Sequence, residues 1–126
     1  SKSGKECGDL TIPSAVDVAK AAAQAADSKK AENVQVLKMP EVMVDAEYFV
    51  ICSAPTHVQI RAVVEAVTEA LQDEGVELLR QEGRDGNNWI LLDYGAVIVH
   101  VFLDEDRHYY DLERLWADAQ RVEWNG

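Results

Sequence analysis

Hydrophobic and polar positions along the chain change period several times, and each change marks an element. From Pro13 to about Lys30, Val16, Ala19, Ala22 or Ala23 and Ala26 recur at three- and four-residue spacing. That spacing predicts an amphipathic helix with Pro13 at its start. Val34-Gln-Val-Leu-Lys-Met39 alternates as a strand does until Pro40 interrupts it. Glu47-Tyr-Phe-Val-Ile-Cys52 is a nearly continuous apolar run, which suits a central strand covered on both faces. Ser53-Ala-Pro-Thr56 reads as a turn, and Ser53 or Thr56 can cap a second helix from about His57 to Glu74. Its apolar stripe is Ile60, Val63, Val64, Val67, Ala70 and Leu71, and Gly75 stands where a helix ends in left-handed backbone. Val76 to Glu82 predicts a strand and Gly83 to Asn88 a turn-rich loop. Trp89–Asp93 and Val97–Leu103 predict a hairpin around Tyr94-Gly95-Ala96, followed by helical turns from Asp104 to about Ala119.

The order α-β-β-α-β-β-β-α implies a mixed sheet of about five strands flanked by helices, an α/β or mixed α+β fold. With 126 residues the chain is read as one domain. It spans residues 11–122, with a polar tail at 1–10 and a short C-terminal tail at 123–126. No apolar run approaches the ~20 residues that cross a bilayer, so no membrane partner is expected. Neither is a secretory signal: Ser-Lys-Ser-Gly-Lys-Glu is followed by no hydrophobic stretch. Cys7 and Cys52 form no Cys-x-x-Cys pattern and are read as free thiols in a reducing compartment.

Charge narrows the choice of partner. Twelve basic residues against twenty-three acidic ones give a formal charge of -11. Such a field repels phosphate backbones and favours a basic partner. Little or no direct nucleic-acid binding is therefore expected, although acidity of this kind also serves plain solubility.

The candidate chemistry clusters after residue 88. Strand alternation puts Trp89, Leu91 and Asp93 on one face of their strand, with Ile90 and Leu92 on the other. Ile90 and Leu92 read as core, so Trp89 and Asp93 should lie on the more exposed face. Trp89 either covers the end of the core or anchors an interface, where Trp, Tyr and Arg dominate binding energy. Asp93 and Gly95 fit a tight turn. Tyr94 at the hairpin tip is expected to be exposed and in contact with a partner. His100 shares a face with Ile98 and Phe102, opposite Val97, Val99 and Val101. It reads as a core-edge histidine bonded to a carboxylate, with a metal ligand or general base as alternatives. No Cys or second His stands at zinc spacing, and no metal or cofactor is expected. Leu112, Leu115 and Trp116 should pack on the sheet, leaving Tyr110 beside Asp111 and Glu113 at the boundary.

The same stretch resembles the ribosomal silencing factor, or Iojap-like, family. The matching residues are Glu82-Gly83, Trp89, Asp93-Tyr94-Gly95, Val97-Ile98-Val99-His100-Val101-Phe102, Arg107, Tyr110, Leu112-Glu113 and Leu115-Trp116. Looser matches extend the resemblance over roughly residues 14 to 122, and Ala96 stands where the family usually has Asp. The resemblance implies a nucleotidyltransferase-like mixed sheet. It also implies binding to the large ribosomal subunit through that subunit's fourteenth protein, which blocks joining of the small subunit and represses translation. Trp89, Asp93, Tyr94 and Tyr110 are then the expected partner-binding residues. A homodimer in the free state is compatible with it. The location would be the bacterial cytoplasm, or an organelle matrix or stroma in a eukaryote.

The fold so implied raises a second reading, a cryptic or degenerate nucleotidyltransferase that binds nucleotide. That chemistry needs a Gly-Gly or Gly-Ser turn ahead of an Asp-x-Asp pair that holds Mg²⁺. The chain has Asp104-Glu-Asp106 but neither glycine turn, and no catalytic residue is nominated. A small-molecule binding module is a third, less specific reading.

Overall fold

Ser14 opens the first helix: its hydroxyl accepts a hydrogen bond from the Asp17 N–H at 3.3 Å. The fold was obtained as a computed structural model that describes residues 14–38, 47–84, 88–104 and 120–124. Helix α1 spans Ala15–Ser28 and buries Val18, Ala19, Ala22, Ala23 and Ala26. The buried stripe is the expected one except at its start, where Val18 rather than Val16 faces inward. Helix α2 spans His57–Asp73 and buries Ile60, Val63, Val67 and Leu71. Its cap is Thr56, whose hydroxyl accepts from the Gln59 N–H at 3.1 Å. Ser53, the other candidate, is buried and donates to the Glu32 carbonyl at 3.3 Å.

Both helices end in the same closure, reached through different residues. After α2, Gly75 takes φ +80, and the Gly75 and Val76 N–H groups donate to Gln72 and Leu71 at 2.9 Å each. After α1, Lys30 takes φ 66, and the Lys30 and Ala31 N–H groups donate to Asp27 at 2.8 Å and Ala26 at 3.1 Å. Both are Schellman closures. Lys carries the Cβ penalty there that Gly escapes.

Among the described residues six strands form one sheet: β1 Glu32–Lys38, β2 Tyr48–Ala54, β3 Arg80–Arg84, β4 Trp89–Asp93, β5 Val97–Leu103 and β6 Gln120–Val122. Their order is β3-β4-β5-β2-β1-β6. The β2–β5 pair is parallel and the other neighbours are antiparallel, so the α+β mixed sheet expected from the pattern is what the chain forms. The sheet has one strand more than anticipated. β6 is only three residues long and is defined by its pairing to β1, where Val36 faces Val122.

β3 starts four residues later than its apolar pattern suggests and continues through Gly83 and Arg84, where the sequence pattern implies loop. Pairing decides this boundary. The Leu79 N–H donates to the Asp93 carbonyl at 2.8 Å, and the ladder then runs from Arg80 opposite Asp93 to Arg84 opposite Trp89. The C-terminal tail expected from residue 123 is also corrected. Trp124 packs against the core, its indole N–H donates to the Val34 carbonyl at 3.2 Å, and the Gln24 side-chain amide donates to its carbonyl at 2.9 Å. An indole that can bury its rings and satisfy its one donor does not stay in solvent. The helical turns expected between Asp104 and Ala119 lie outside the described residues.

The two helices pack on one another and on one face of the sheet. That face contributes Val36, Val50, Cys52, Ala54, Ile90, Leu92, Val97, Val99 and Val101 to a single aliphatic cluster. The opposite face carries a second cluster of Leu37, Phe49, Ile51 and Phe102, with Trp89 and Ile98 against it. β2 is thus apolar on both sides, as its unbroken hydrophobic run implied.

Candidate partner-docking surface

Strand parity sets up the aromatic face. Phe49 and Ile51 alternate with Val50 and Cys52 on β2, and His100 and Phe102 alternate with Val99 and Val101 on β5. The ladders then bring neighbours together. Trp89 on β4 lies opposite Phe102, and His100 lies between Leu91 of β4 and Ile51 of β2. The Trp89 and Phe102 ring centroids are 5.0 Å apart at 32°. His100 is 4.9 Å from Phe49 at 55° and lies nearly parallel to Phe102 at 6.2 Å. These separations fall in the range where aromatic pairs attract beyond simple burial.

His100 is 4% exposed, and its Nδ1 accepts a hydrogen bond from the Trp89 indole N–H at 3.1 Å. The expectation of a histidine at the core edge therefore holds. The partner found for its Nδ1 is an indole rather than a carboxylate. An indole N–H can only donate, so the receiving nitrogen must carry its lone pair. Trp89 itself is half-buried. The expectation that its strand face would be exposed holds only at the ends: Trp89 and Asp93 are partly open, while Leu91 between them is buried.

Asp93 is occupied on both carboxylate oxygens. Its Oδ1 accepts from the Gly95 N–H at 2.8 Å, and its Oδ2 stands 3.5 Å from Arg80 Nη2. The first bond sets the hairpin turn, in which Gly95 takes φ +89. The second places a guanidinium on the rim beside the carboxylate; Arg80 also pairs with Glu82 at 3.1 Å. Ala96 contributes through its backbone, where its carbonyl accepts from Glu47 at 2.7 Å and Tyr48 at 3.1 Å. The missing carboxylate at this corner leaves that backbone arrangement intact.

Tyr94 is the clearest correction to the expected surface. The residue is 8% exposed and belongs to the aliphatic cluster on the helix side. Its hydroxyl has no hydrogen-bond partner among the described residues. Burial pushes its ionisation up to about 12 from the usual 10.0. The hairpin turns back over the core, so a tip position in sequence is an interior position in space. Tyr110, the fourth nominated residue, lies outside the described residues. Trp89 and Asp93 share one face of β4 and stand four residues apart along it.

Arg80, Phe49 and Ile51 belong to this surface without any signal in the local sequence. Their positions depend on strand order and register, which no local spacing reports.

The nucleotide-binding reading turns on acidic groups at the end of the sheet opposite the Tyr94 hairpin tip. Glu32 and Asp104 sit beside each other there. A hydrogen bond that the protonated Glu32 carboxyl donates to Asp104, then the repulsion of the Asp104 charge, raises the Glu32 carboxyl above its ordinary range. Among the described residues no three His, Cys, Asp or Glu side chains are grouped to hold a metal ion. Asp106, the second member of the Asp-x-Asp spacing, lies outside them. Among the described residues no helix is long and apolar enough to cross a membrane.

Among the described residues, two helices and a six-stranded mixed sheet, with a hydrogen-bonded aromatic cluster on the face opposite those helices, define an α+β domain with a distinctive aromatic surface. The family model described as "Ribosomal silencing factor during starvation" matches residues 12–126, and the chain belongs to that family. It is 41% identical to ribosomal silencing factor RsfS of Halalkalibacterium halodurans over 105 residues, covering 83% of this chain and 90% of that protein. It is 30% identical over 92 residues to a mouse protein named mitochondrial assembly of ribosomal large subunit protein 1, covering 71% of this chain and 40% of that one. The crystal structure of a Chromobacterium violaceum protein superposes with a TM-score of 0.79 at 26% identity, covering 90% of this chain and 94% of that one.

Proposed function

We propose that this chain is a ribosome-binding translational repressor. It docks on the large ribosomal subunit through the sheet face that carries Trp89 and excludes the small subunit. Family membership supports the ribosomal role, and the name of the mouse relative points to the large subunit. The observation that carries the docking reading is the half-buried Trp89, fixed by a hydrogen bond and set on an aromatic floor. A rigid, partly open Trp is the kind of group that supplies a disproportionate share of interface energy. Asp93, four residues further along the same strand face, and its partner Arg80 offer a charged rim.

The finer assignment is to a small basic protein of the large subunit, the fourteenth in its numbering. A formal charge of -11 makes a basic protein surface a better match than exposed rRNA. Repression follows from steric exclusion, so it requires no chemistry by the chain and no cofactor. The site of action is wherever those ribosomes are, the bacterial cytoplasm or an organelle matrix.

Purified bacterial subunits test this directly. The chain should co-sediment with large subunits and not with small ones. It should also slow their association as followed by light scattering. Equal pelleting with both subunits, or unchanged joining, would count against the proposal. Thermal stabilisation by a nucleotide with Mg²⁺ would favour the nucleotide-binding reading instead.

A further inference from the structure

A histidine is an odd choice for the floor of this face. His100 is 4% exposed and lies between Phe49 and Phe102, where a third phenyl ring would bury more apolar surface. Burying an imidazole is unfavourable unless its polar atoms are satisfied. Its Nδ1 meets the Trp89 N–H at 3.1 Å, across a diagonal of the β4–β5 ladder: His100 is registered with Leu91 and Trp89 with Phe102. The bond therefore does something that packing alone does not. Contact with the Phe102 ring, tilted at 32°, leaves other χ1 and χ2 settings of the indole open. A directional acceptor at one edge favours one of them.

We propose that His100 is a positioning residue for docking: its Nδ1 holds the Trp89 indole in the orientation the partner recognises. This rests on the reading of Trp89 as a docking anchor. The bond requires an acceptor at the δ position, so the neutral ring must carry its proton on Nε2. The same requirement separates two substitutions. Asn places its Oδ1 on the same branch atom that bears Nδ1 and can accept from the indole. Phe fills the space and cannot accept. A Trp ordered before binding avoids the entropy loss of ordering it on binding, which is equivalent to roughly three- to tenfold in affinity.

The test measures affinity for purified bacterial large subunits together with the indole N–H signals in ¹H–¹⁵N spectra. Trp89→Ala should weaken binding by roughly thirtyfold or more, the scale of an interface hot spot. His100→Phe should weaken it by roughly three- to tenfold and shift the Trp89 indole signal. His100→Asn should bind within about twofold of wild type with that signal retained. A double-mutant cycle with Trp89→Phe, which keeps an aromatic ring and removes the N–H, supplies an independent check. The loss from His100→Phe should vanish in the Trp89→Phe background.

If Trp89→Ala binds like wild type, the docking reading itself fails. If Trp89→Ala is weakened while His100→Phe is not, Trp89 docks and His100 does not position it. Additive losses in the cycle, or equal losses in His100→Asn and His100→Phe, reduce His100 to a packing residue and overturn the inference. Should His100→Phe fail to fold, the cycle is closed with His100→Leu.

Discussion

The two faces of the sheet are built from different chemistry. The helix side is mainly aliphatic: Val50, Val63, Val67, Leu71, Leu92, Val99 and Val101 are fully buried there, alanines of α1 close the gap, and Tyr94 and Trp124 pack against them. The other side is rich in aromatic rings, with Phe49, Trp89, His100 and Phe102 linked through ring contacts centred on His100 and an internal hydrogen bond. An aliphatic interior maximises close packing and is indifferent to orientation. A face that spends a buried imidazole on orienting one half-buried indole is arranged for a purpose that packing does not require. Stability should therefore concentrate on the first face and recognition on the second.

The largest effect should come from the helix side. Leu92→Ala empties a fully buried position and should cost about 2–5 kcal/mol of folding stability in denaturant titration. Large-subunit affinity, corrected for the folded fraction, should stay unchanged.

Trp89→Ala should show the reverse balance. It should lose at least ~2 kcal/mol of binding. Its stability loss should fall below the ~3–5 kcal/mol typical of a core tryptophan, because the indole is half-buried.

Tyr94 probes which face the hairpin tip belongs to. Its hydroxyl ionises at about 12 in the folded chain, above the usual 10.0. The folded state thus favours the neutral form. That contribution is fully present below pH 10 and is lost as pH rises through 12, up to roughly 2–3 kcal/mol. Tyr94→Phe should abolish this alkaline arm and leave affinity unchanged, as denaturation at pH 8 and at pH 11.5 would show. A Tyr94→Phe chain that folds normally and binds weakly would return Tyr94 to the docking surface.

Asp93→Asn should have the smallest effect. Asn can still accept from Gly95, and the partly exposed pair with Arg80 is worth no more than about 1 kcal/mol. The change should appear in the association rate and its salt dependence, measured by stopped flow, because rim charges act mainly there.

How far the sequence alone reached follows the same division. Elements with a strong period were legible: both helices, the unbroken run of β2, and the hairpin of Trp89–Asp93 with Val97–Leu103 match the structure closely. Thr56 and Gly75 were readable as cap and stop because each acts locally. Lys30 was not readable as a stop, since nothing in a lysine announces left-handed backbone. β3 and β6 were misplaced or missed because their limits are set by partners, β4 and β1, distant in sequence. The site was half legible. Parity alone put His100 with Phe102 and Trp89 with Asp93, but only register brings Trp89 across to His100. Tyr94 is not legible because a turn position implies exposure, while the hairpin folds that ring onto the helix-side core.

The central claim is that the aromatic face recognises the ribosome while the aliphatic face holds the fold. Equilibrium affinity of folded Trp89→Ala for purified large subunits, set beside its unfolding free energy, tests it most directly. Affinity reduced by at least ~2 kcal/mol, with most of the folding stability retained, is the predicted result. Wild-type affinity in the folded fraction, with a stability loss of ~3–5 kcal/mol, would make Trp89 a core residue and contradict the account.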